Sequence, residues 1–184
     1  MILYLHGFTS GPQSFKARAL HAQLARRGLA DRFVCPQLPP SPQAAIDLAR
    51  SLIREGTTLV GSSLGGYYAT WLAEKHDLRA VLVNPAVLAH VSLEQFVGPQ
   101  HNLYSGEAFE FTQAHIAELR ALELPAFAKP ERFWLLVETG DELLDYRQAV
   151  ARYAGARQTV LEGGDHSFTR WADYLDGIIA YAGL

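Results

Sequence analysis

Short apolar runs alternate with amphipathic segments of helical length along most of the chain. The apolar runs have the length and composition of buried strands, and turn residues lie at the ends of most of them. Six strands are predicted, covering residues 1–5, 33–35, 57–61, 80–83, 133–138 and 158–161. This alternation predicts an α/β fold, in which a mostly parallel sheet of about six strands carries helices on both faces.

The predicted helices begin and end at residues that favour such positions. Ser14 stands where an N-cap is expected, and Gly28 follows the end of the same segment. Ser41 and Pro42 form the start of a second helix, because proline is favoured at the first helical position. The four clearest predicted helices cover residues 14–27, 42–55, 64–76 and 168–181.

One segment, about 88–130, interrupts the alternation of strands and helices. It is too long for a simple crossover between strands. It contains several aromatic residues, and residues 112–122 have a helical pattern. We expect residues 1–184 to form one domain with a small helical cap insert at about 88–130. The alternative is an ordinary crossover helix with a long loop before it.

Charge and composition narrow the range of functions. The chain has 16 Lys and Arg against 19 Asp and Glu, a net charge of −3, without a basic stripe, so nucleic acid is not an expected partner. The apolar runs are too short to span a bilayer, and the N-terminus does not resemble a signal peptide. We therefore expect a cytoplasmic protein without membrane association. The single cysteine, Cys35, excludes an intramolecular disulfide and is expected to be a small core residue.

A G-x-S-x-G motif at residues 61–65 is the strongest chemical signal, with Ser63 at its centre. The motif follows a predicted strand and begins a predicted helix, as a nucleophile elbow requires. Glycines beside the serine leave room for the neighbouring chain at the sharp turn. The alternative is a plain Gly/Ser turn between a strand and a helix.

A serine nucleophile needs a base, and the base needs an orienting acid. His166 is the only histidine that follows the last predicted strand, and Asp141 follows the fifth strand after a turn glycine. The order Ser63, Asp141, His166 is the order expected for an elbow-type site. The competing reading of the histidine is a polar loop residue that caps the final helix. Other candidate acids are Glu138, Glu142 and Asp145, of which Asp145 is also expected to cap a helix near Tyr146.

The tetrahedral intermediate of acyl transfer needs two N–H donors. The backbone N–H of Leu64, directly after the serine, is one candidate. The second is the N–H of Phe8 in the loop after the first strand, where Gly7 permits close approach. His6 is expected to orient this loop rather than to act as a second base.

These segments together resemble the α/β-hydrolase superfamily. The matching segments are Tyr4-Leu5-His6-Gly7-Phe8, Gly61-Ser62-Ser63-Leu64-Gly65-Gly66, Gly140-Asp141-Glu142 and Gly164-Asp165-His166. Over nearly the whole chain, the sequence is most similar to the small bacterial YqiA-like esterases. The resemblance implies a catalytic triad of Ser63, Asp141 and His166 and an esterase or thioesterase activity.

We therefore expect a serine esterase that hydrolyses carboxylic esters of short to medium acyl groups through an acyl-enzyme. The expected partner is a small-molecule ester or thioester, and neither a cofactor nor a metal is expected. An acyl-CoA or acyl-carrier thioesterase is the first alternative, although the basic residues of the first helix, Lys16 among them, are expected to form a solvated face. A non-catalytic ligand-binding protein is the second alternative. The sequence leaves the oligomeric state open.

Overall fold

The central element is a sheet of six strands, all parallel. The computed structural model describes residues 1–184. The strands of this sheet are β1 Ile2–Leu5, β2 Phe33–Val34, β3 Thr58–Ser62, β4 Arg79–Val83, β7 Phe133–Glu138 and β8 Arg157–Leu161. They lie side by side in the order β2-β1-β3-β4-β7-β8. All six predicted strands are therefore confirmed, with boundaries that differ by one residue at most.

Seven helices accompany the strands. They are α1 Phe15–Arg26, α2 Pro42–Leu52, α3 Leu64–His76, α4 Ala89–Ser92, α5 Gln113–Ala121, α6 Tyr146–Arg152 and α7 Leu175–Tyr181. Two segments differ from the prediction. The helix α2 ends at Leu52, before Gly56. The final helix has two parts, because Phe168 is left-handed (φ 57°) and residues Thr169–Tyr174 form a 3-10 helix before α7.

The sheet has two apolar faces because side chains alternate along each strand. In β1, Ile2 and Tyr4 point to one face, whereas Leu3 and Leu5 point to the other. Helices α1 and α7 cover the first face, and α2, α3, α5 and α6 cover the second. All four of these β1 side chains are buried. The predicted helices on both faces are thus confirmed, and the carboxyl ends of the parallel strands all lie at one edge of the sheet.

The segment between β4 and β7 contains more than helices. Besides α4 and α5, it holds an antiparallel hairpin formed by β5 Gly98–His101 and β6 Ala108–Phe111, which the sequence pattern did not indicate. Helix α5 packs against α2, where Glu118 accepts hydrogen bonds from the Ser41 hydroxyl and the Gln43 N–H. The hairpin contacts the loop after β1, since Leu103 N–H donates to Thr9 O at 2.8 Å. The insert therefore covers the carboxyl end of β1.

Candidate active site

Ser63 lies on a strained turn between β3 and α3. Its backbone angles are φ 55° and ψ −120°, a conformation that costs free energy in any residue other than glycine. The turn is possible only because Gly61 and Gly65 lack side chains. A Cβ at Gly61 would overlap the Gly65 carbonyl, and a Cβ at Gly65 would overlap the Leu5 carbonyl. The fold therefore holds the Ser63 hydroxyl at the N-terminus of α3, at the edge of the sheet.

His166 and Asp141 reach the same edge from the loops after β8 and β7. The His166 Nε2 atom lies 3.1 Å from Ser63 Oγ, and His166 Nδ1 lies 2.8 Å from Asp141 Oδ2. The Asp141 side chain is 2% exposed and the imidazole 18% exposed. Such a chain of hydrogen bonds lets a carboxylate fix the Nδ1–H tautomer and leaves Nε2 free to accept the serine proton. The structure thus brings together the three residues that the sequence predicts.

The other carboxylate oxygen of Asp141 also accepts hydrogen bonds. Asp141 Oδ1 accepts hydrogen bonds from the N–H groups of Leu143 and Leu144, both at 2.9 Å. These bonds fix the carboxylate plane, so Oδ2 is directed at the imidazole of His166. Asp141 therefore has the geometry of an orienting acid.

The other candidate acids have different partners. Glu142 accepts from the backbone N–H of His166 at 2.9 Å rather than from its ring, and this bond lowers the pKa of Glu142. Asp145 is the N-cap of α6, where its side chain accepts from Arg147 N–H at 3.0 Å. Glu138 is fully buried and bound to Arg170. The predicted capping role of Asp145 is therefore confirmed.

The two backbone N–H groups expected to bind an oxyanion belong to residues that line the same cleft as Ser63. Leu64 is the first residue of α3, so its N–H has no acceptor within the helix. Phe8 lines the same cleft, and its N–H donates to no backbone carbonyl. Gly7 allows this approach, because a Cβ there would already lie 3.3 Å from Ser63 Cβ.

His6 supports the loop that carries Phe8. Its Nε2 atom accepts from Leu38 N–H at 3.0 Å, and its Nδ1 atom lies 2.9 Å from the Gly7 carbonyl. Both ring nitrogens are therefore satisfied in the neutral form with the proton on Nδ1. Burial lowers the pKa of His6, which also favours this neutral form. His6 thus holds the loop in place and is not placed to take a proton from Ser63.

A cleft of about 470 Å³ opens over Ser63 and His166. One wall is aromatic: Phe8 and Phe96 line the cleft with their rings at a centroid distance of 5.9 Å, and Phe109 and Phe111 also pack against the ring of Phe8. Because Phe96 belongs to the segment between β4 and β7, this segment forms part of the wall of the cleft. The cleft can therefore hold an apolar group next to a nucleophilic hydroxyl.

The structure corrects the prediction for Lys16. Its side chain lines the cleft instead of lying on a solvated helix face, and its Nζ donates to the Ser167 carbonyl at 2.7 Å. Burial lowers the pKa of Lys16 to about 8, although the acidic groups Asp165, Asp141 and Glu138 favour the charged form. Helix α1 and the His166 loop are far apart in the sequence, so the position of Lys16 follows only from their contact in the folded structure.

Cys35 lies apart from this site. It is partly buried and packs against the apolar face formed with α1. Burial raises the pKa of its thiol to about 12. The expected role as a small core residue is therefore confirmed.

No helix of the structure combines the length and the apolar character needed to cross a bilayer.

Comparisons with solved structures identify the fold. A candidate hydrolase from Agrobacterium vitis S4 is similar at a TM-score of 0.73 and 20% identity, over 98% of this chain and 87% of that one. Alpha/beta hydrolase domain-containing protein 10 from mouse is similar at 0.70 and 16% identity, over 97% and 87%. The monoacylglycerol lipase of Paleococcus ferrophilus is similar at 0.68 and 15% identity, over 98% and 93%. The fold is therefore the α/β-hydrolase fold, as the sequence resemblance implied.

A family model covers almost the whole sequence. It matches residues 1–183 and is described as "Uncharacterised protein family (UPF0227)". This match includes the elbow serine, the His166 loop and the insert. The chain therefore belongs to the UPF0227 family.

Proposed function

We propose that this protein is a serine hydrolase that cleaves carboxylic esters of short to medium acyl groups. The observation that carries the proposal is the hydrogen-bonded chain Ser63–His166–Asp141, with distances of 3.1 and 2.8 Å. Structural neighbours that include a monoacylglycerol lipase support a hydrolytic reaction. Ser63, His166, Phe8 and Leu64 line the cleft, and Asp141 lies behind His166, which supports this assignment.

In the first half of the reaction, His166 Nε2 accepts the proton of Ser63 as Oγ attacks the ester carbonyl. The N–H groups of Phe8 and Leu64 donate to the oxyanion that forms. Asp141 stabilises the imidazolium without taking its proton. His166 then donates its proton to the leaving oxygen, the C–O bond breaks, and an acyl-enzyme remains on Ser63.

In the second half, water replaces the alcohol. His166 accepts a proton from the water, the hydroxyl attacks the acyl carbon, and the same two N–H groups bind the second oxyanion. His166 returns the proton to Ser63 Oγ as the acid leaves. No redox step occurs, so the reaction is balanced by ester and water alone.

Labelling with a fluorophosphonate tests the assignment of the nucleophile. We expect mass spectrometry to locate the label on Ser63 and Ser63→Ala to abolish both labelling and ester hydrolysis, because loss of a triad nucleophile costs on the order of 10⁶ in kcat. Ser51→Ala is a matched control, since Ser51 is an exposed serine on α2. A label on Ser62, or activity that persists in Ser63→Ala, would contradict the proposal. A wild-type protein that remains unlabelled would favour a non-catalytic binding protein.

A series of esters tests the acyl preference. The cleft is aromatic on one wall and its volume of about 470 Å³ must hold both parts of the ester. We expect kcat/KM to peak at short to medium acyl chains and to fall for long ones, below the concentration at which micelles form. A steady rise up to long-chain esters would contradict this preference. A higher kcat/KM on thioesters with the same acyl group would move the assignment to a thioesterase.

A further inference from the structure

The ionisable side chains of the cleft include a cation but no carboxylate. Of the side chains that line it, Lys16 alone has an ammonium or guanidinium group, and none is a carboxylate. Lys16 Nζ has three N–H groups and donates one of them to the Ser167 carbonyl. Two donors of this ammonium therefore remain for a ligand in the cleft.

A buried hydroxyl lies in the wall of the same cleft. Ser14 is 8% exposed, and its Oγ has no hydrogen-bond partner. Ser14 stands at the predicted N-cap of α1, but its side chain accepts no bond from the first turn. Buried hydroxyls nearly always have partners, so Ser14 Oγ is an unused hydrogen-bonding group beside the cleft.

The backbone at this point also favours an anion. Helix α1 has 12 residues, and its first internal acceptor is the Ser14 carbonyl, which Arg18 N–H uses. The N–H groups of residues 15–17 therefore have no acceptor within the helix. The helix dipole places partial positive charge at this end, where anions bind favourably.

We propose that Ser14, Lys16 and the N-terminus of α1 form an anion subsite, and that preferred substrates carry a carboxylate or phosphate in the alcohol portion. This inference rests on the proposed esterase function. The alcohol portion is chosen because Lys16 binds the carbonyl of Ser167, next to His166. His166 must face the leaving oxygen to protonate it, so the leaving group lies on the side of Lys16.

Matched aryl esters test the subsite. We compare 4-carboxyphenyl butyrate with neutral 4-carbamoylphenyl butyrate, and follow the phenol released from each. The ratio of their kcat/KM values, divided by the ratio of their hydroxide-catalysed rates, gives the preference for the anion. We expect the wild-type protein to prefer the anionic ester by about tenfold or more, as a charge-assisted hydrogen bond allows.

Substitutions locate the preference. In Lys16→Met the preference should fall about tenfold, and in Ser14→Ala about fivefold, as expected for the loss of a charged and a neutral hydrogen bond. The preference, rather than the rate, is compared because Lys16 also holds the Ser167 carbonyl. Arg18→Met is the control, since Arg18 is an exposed cation on α1 that does not line the cleft. A third ester, 4-(phosphonomethyl)phenyl butyrate, shows by its own preference which anion fits better.

The outcomes separate this inference from the proposed function. If the neutral ester is hydrolysed but the wild-type protein shows no preference, the subsite is wrong and the esterase assignment stands. A preference that Lys16→Met and Ser14→Ala leave unchanged would equally overturn the subsite. If neither ester is hydrolysed and Ser63 is not labelled, the proposed function itself fails.

Discussion

Arg170 Nε donates to the buried carboxylate of Glu138 at 2.8 Å, behind the loop that carries His166. The other oxygen of Glu138 accepts from Asp165 N–H at 2.9 Å. The Glu138 N–H in turn donates to Asn84 Oδ1, and the Asn84 amide donates to the carbonyls of Asp165 and His166. The ends of β4 and β7 therefore hold the histidine loop through one connected network.

This network predicts a large effect for Glu138→Gln. Glu138 is fully buried, and the NH₂ group of a glutamine there would face either Arg170 Nε–H or Asp165 N–H, donor against donor, so we expect the free energy of unfolding to fall by about 1–3 kcal/mol. A looser loop should also lower kcat about tenfold, with a smaller change in KM. Urea unfolding and steady-state kinetics measure the two effects.

Glu131→Gln is the control for this experiment, since Glu131 is exposed in the 3-10 turn before β7. We expect it to change neither quantity measurably. A Glu138→Gln protein as stable and as active as the wild type would show that the ion pair does not hold the loop.

Asp141→Asn tests the orienting acid. Asparagine can keep the bonds to the Leu143 and Leu144 N–H groups through its oxygen, but it then presents an NH₂ group to His166 Nδ1–H. Two donors cannot bond, so the imidazole is driven to the wrong tautomer. We expect kcat to drop by roughly 10⁴ with little loss of stability.

Asp145→Ala is the matched comparison in the same loop. Because Asp145 caps α6, we expect a loss of about 0.5–2 kcal/mol of stability and a nearly unchanged kcat. Glu142→Gln should stay active, since Glu142 bonds to the backbone of His166 and not to its ring. An active Asp141→Asn beside an inactive Asp145→Ala would move the acid to Asp145.

The parts of the site that depend on local sequence could be predicted. The elbow around Ser63 needs glycines within two residues of it, so its pattern is visible in a short window. Asp141 and His166 follow the carboxyl ends of two parallel strands, so a parallel sheet predicts that they lie at the same edge. Local patterns therefore predict the strands of the sheet, most helices, and the contact between Ser63, Asp141 and His166.

The remaining features depend on contacts between distant parts of the chain. Lys16 bonds to a carbonyl 151 residues away, and Glu138 bonds to Arg170, 32 residues away, so neither partner is apparent in a sequence window. The sequence does not predict the hairpin of β5 and β6, because β5 is Gly-Pro-Gln-His and the alternation in β6 covers only Phe109 to Phe111. Tertiary packing, not propensity, decides these elements.

Cys35 is predicted to be unreactive in the folded protein. Burial raises its thiol pKa to about 12, which lowers the fraction of reactive thiolate near neutral pH. We expect iodoacetamide at pH 8 to alkylate Cys35 slowly in buffer and rapidly in urea, and Cys35→Ala to keep esterase activity. Rapid alkylation of the native protein, or loss of activity in Cys35→Ala, would contradict a purely structural role.

His6 predicts a dependence of stability on pH. Burial holds the pKa of His6 below 6.5, the value expected in the unfolded chain. As the pH falls below 6.5, the unfolded state therefore binds a proton that the folded state resists. Stability should then decrease with decreasing pH, by at most about 1.4 kcal/mol per pH unit from this group, until the folded pKa is reached.

The measurement is urea unfolding at pH 7.5 and pH 5.5, for the wild type and for His6→Gln. Protonation of the wild-type ring would set a donor against the Leu38 N–H at 3.0 Å, whereas glutamine cannot be charged. We therefore expect His6→Gln to be less stable at pH 7.5, where the neutral ring makes both of its bonds, but to lose less stability on acidification. His101→Gln, at an exposed histidine of β5, should retain the full wild-type pH dependence. Equal losses on acidification in the wild type and in His6→Gln would show that His6 is not held neutral by the fold.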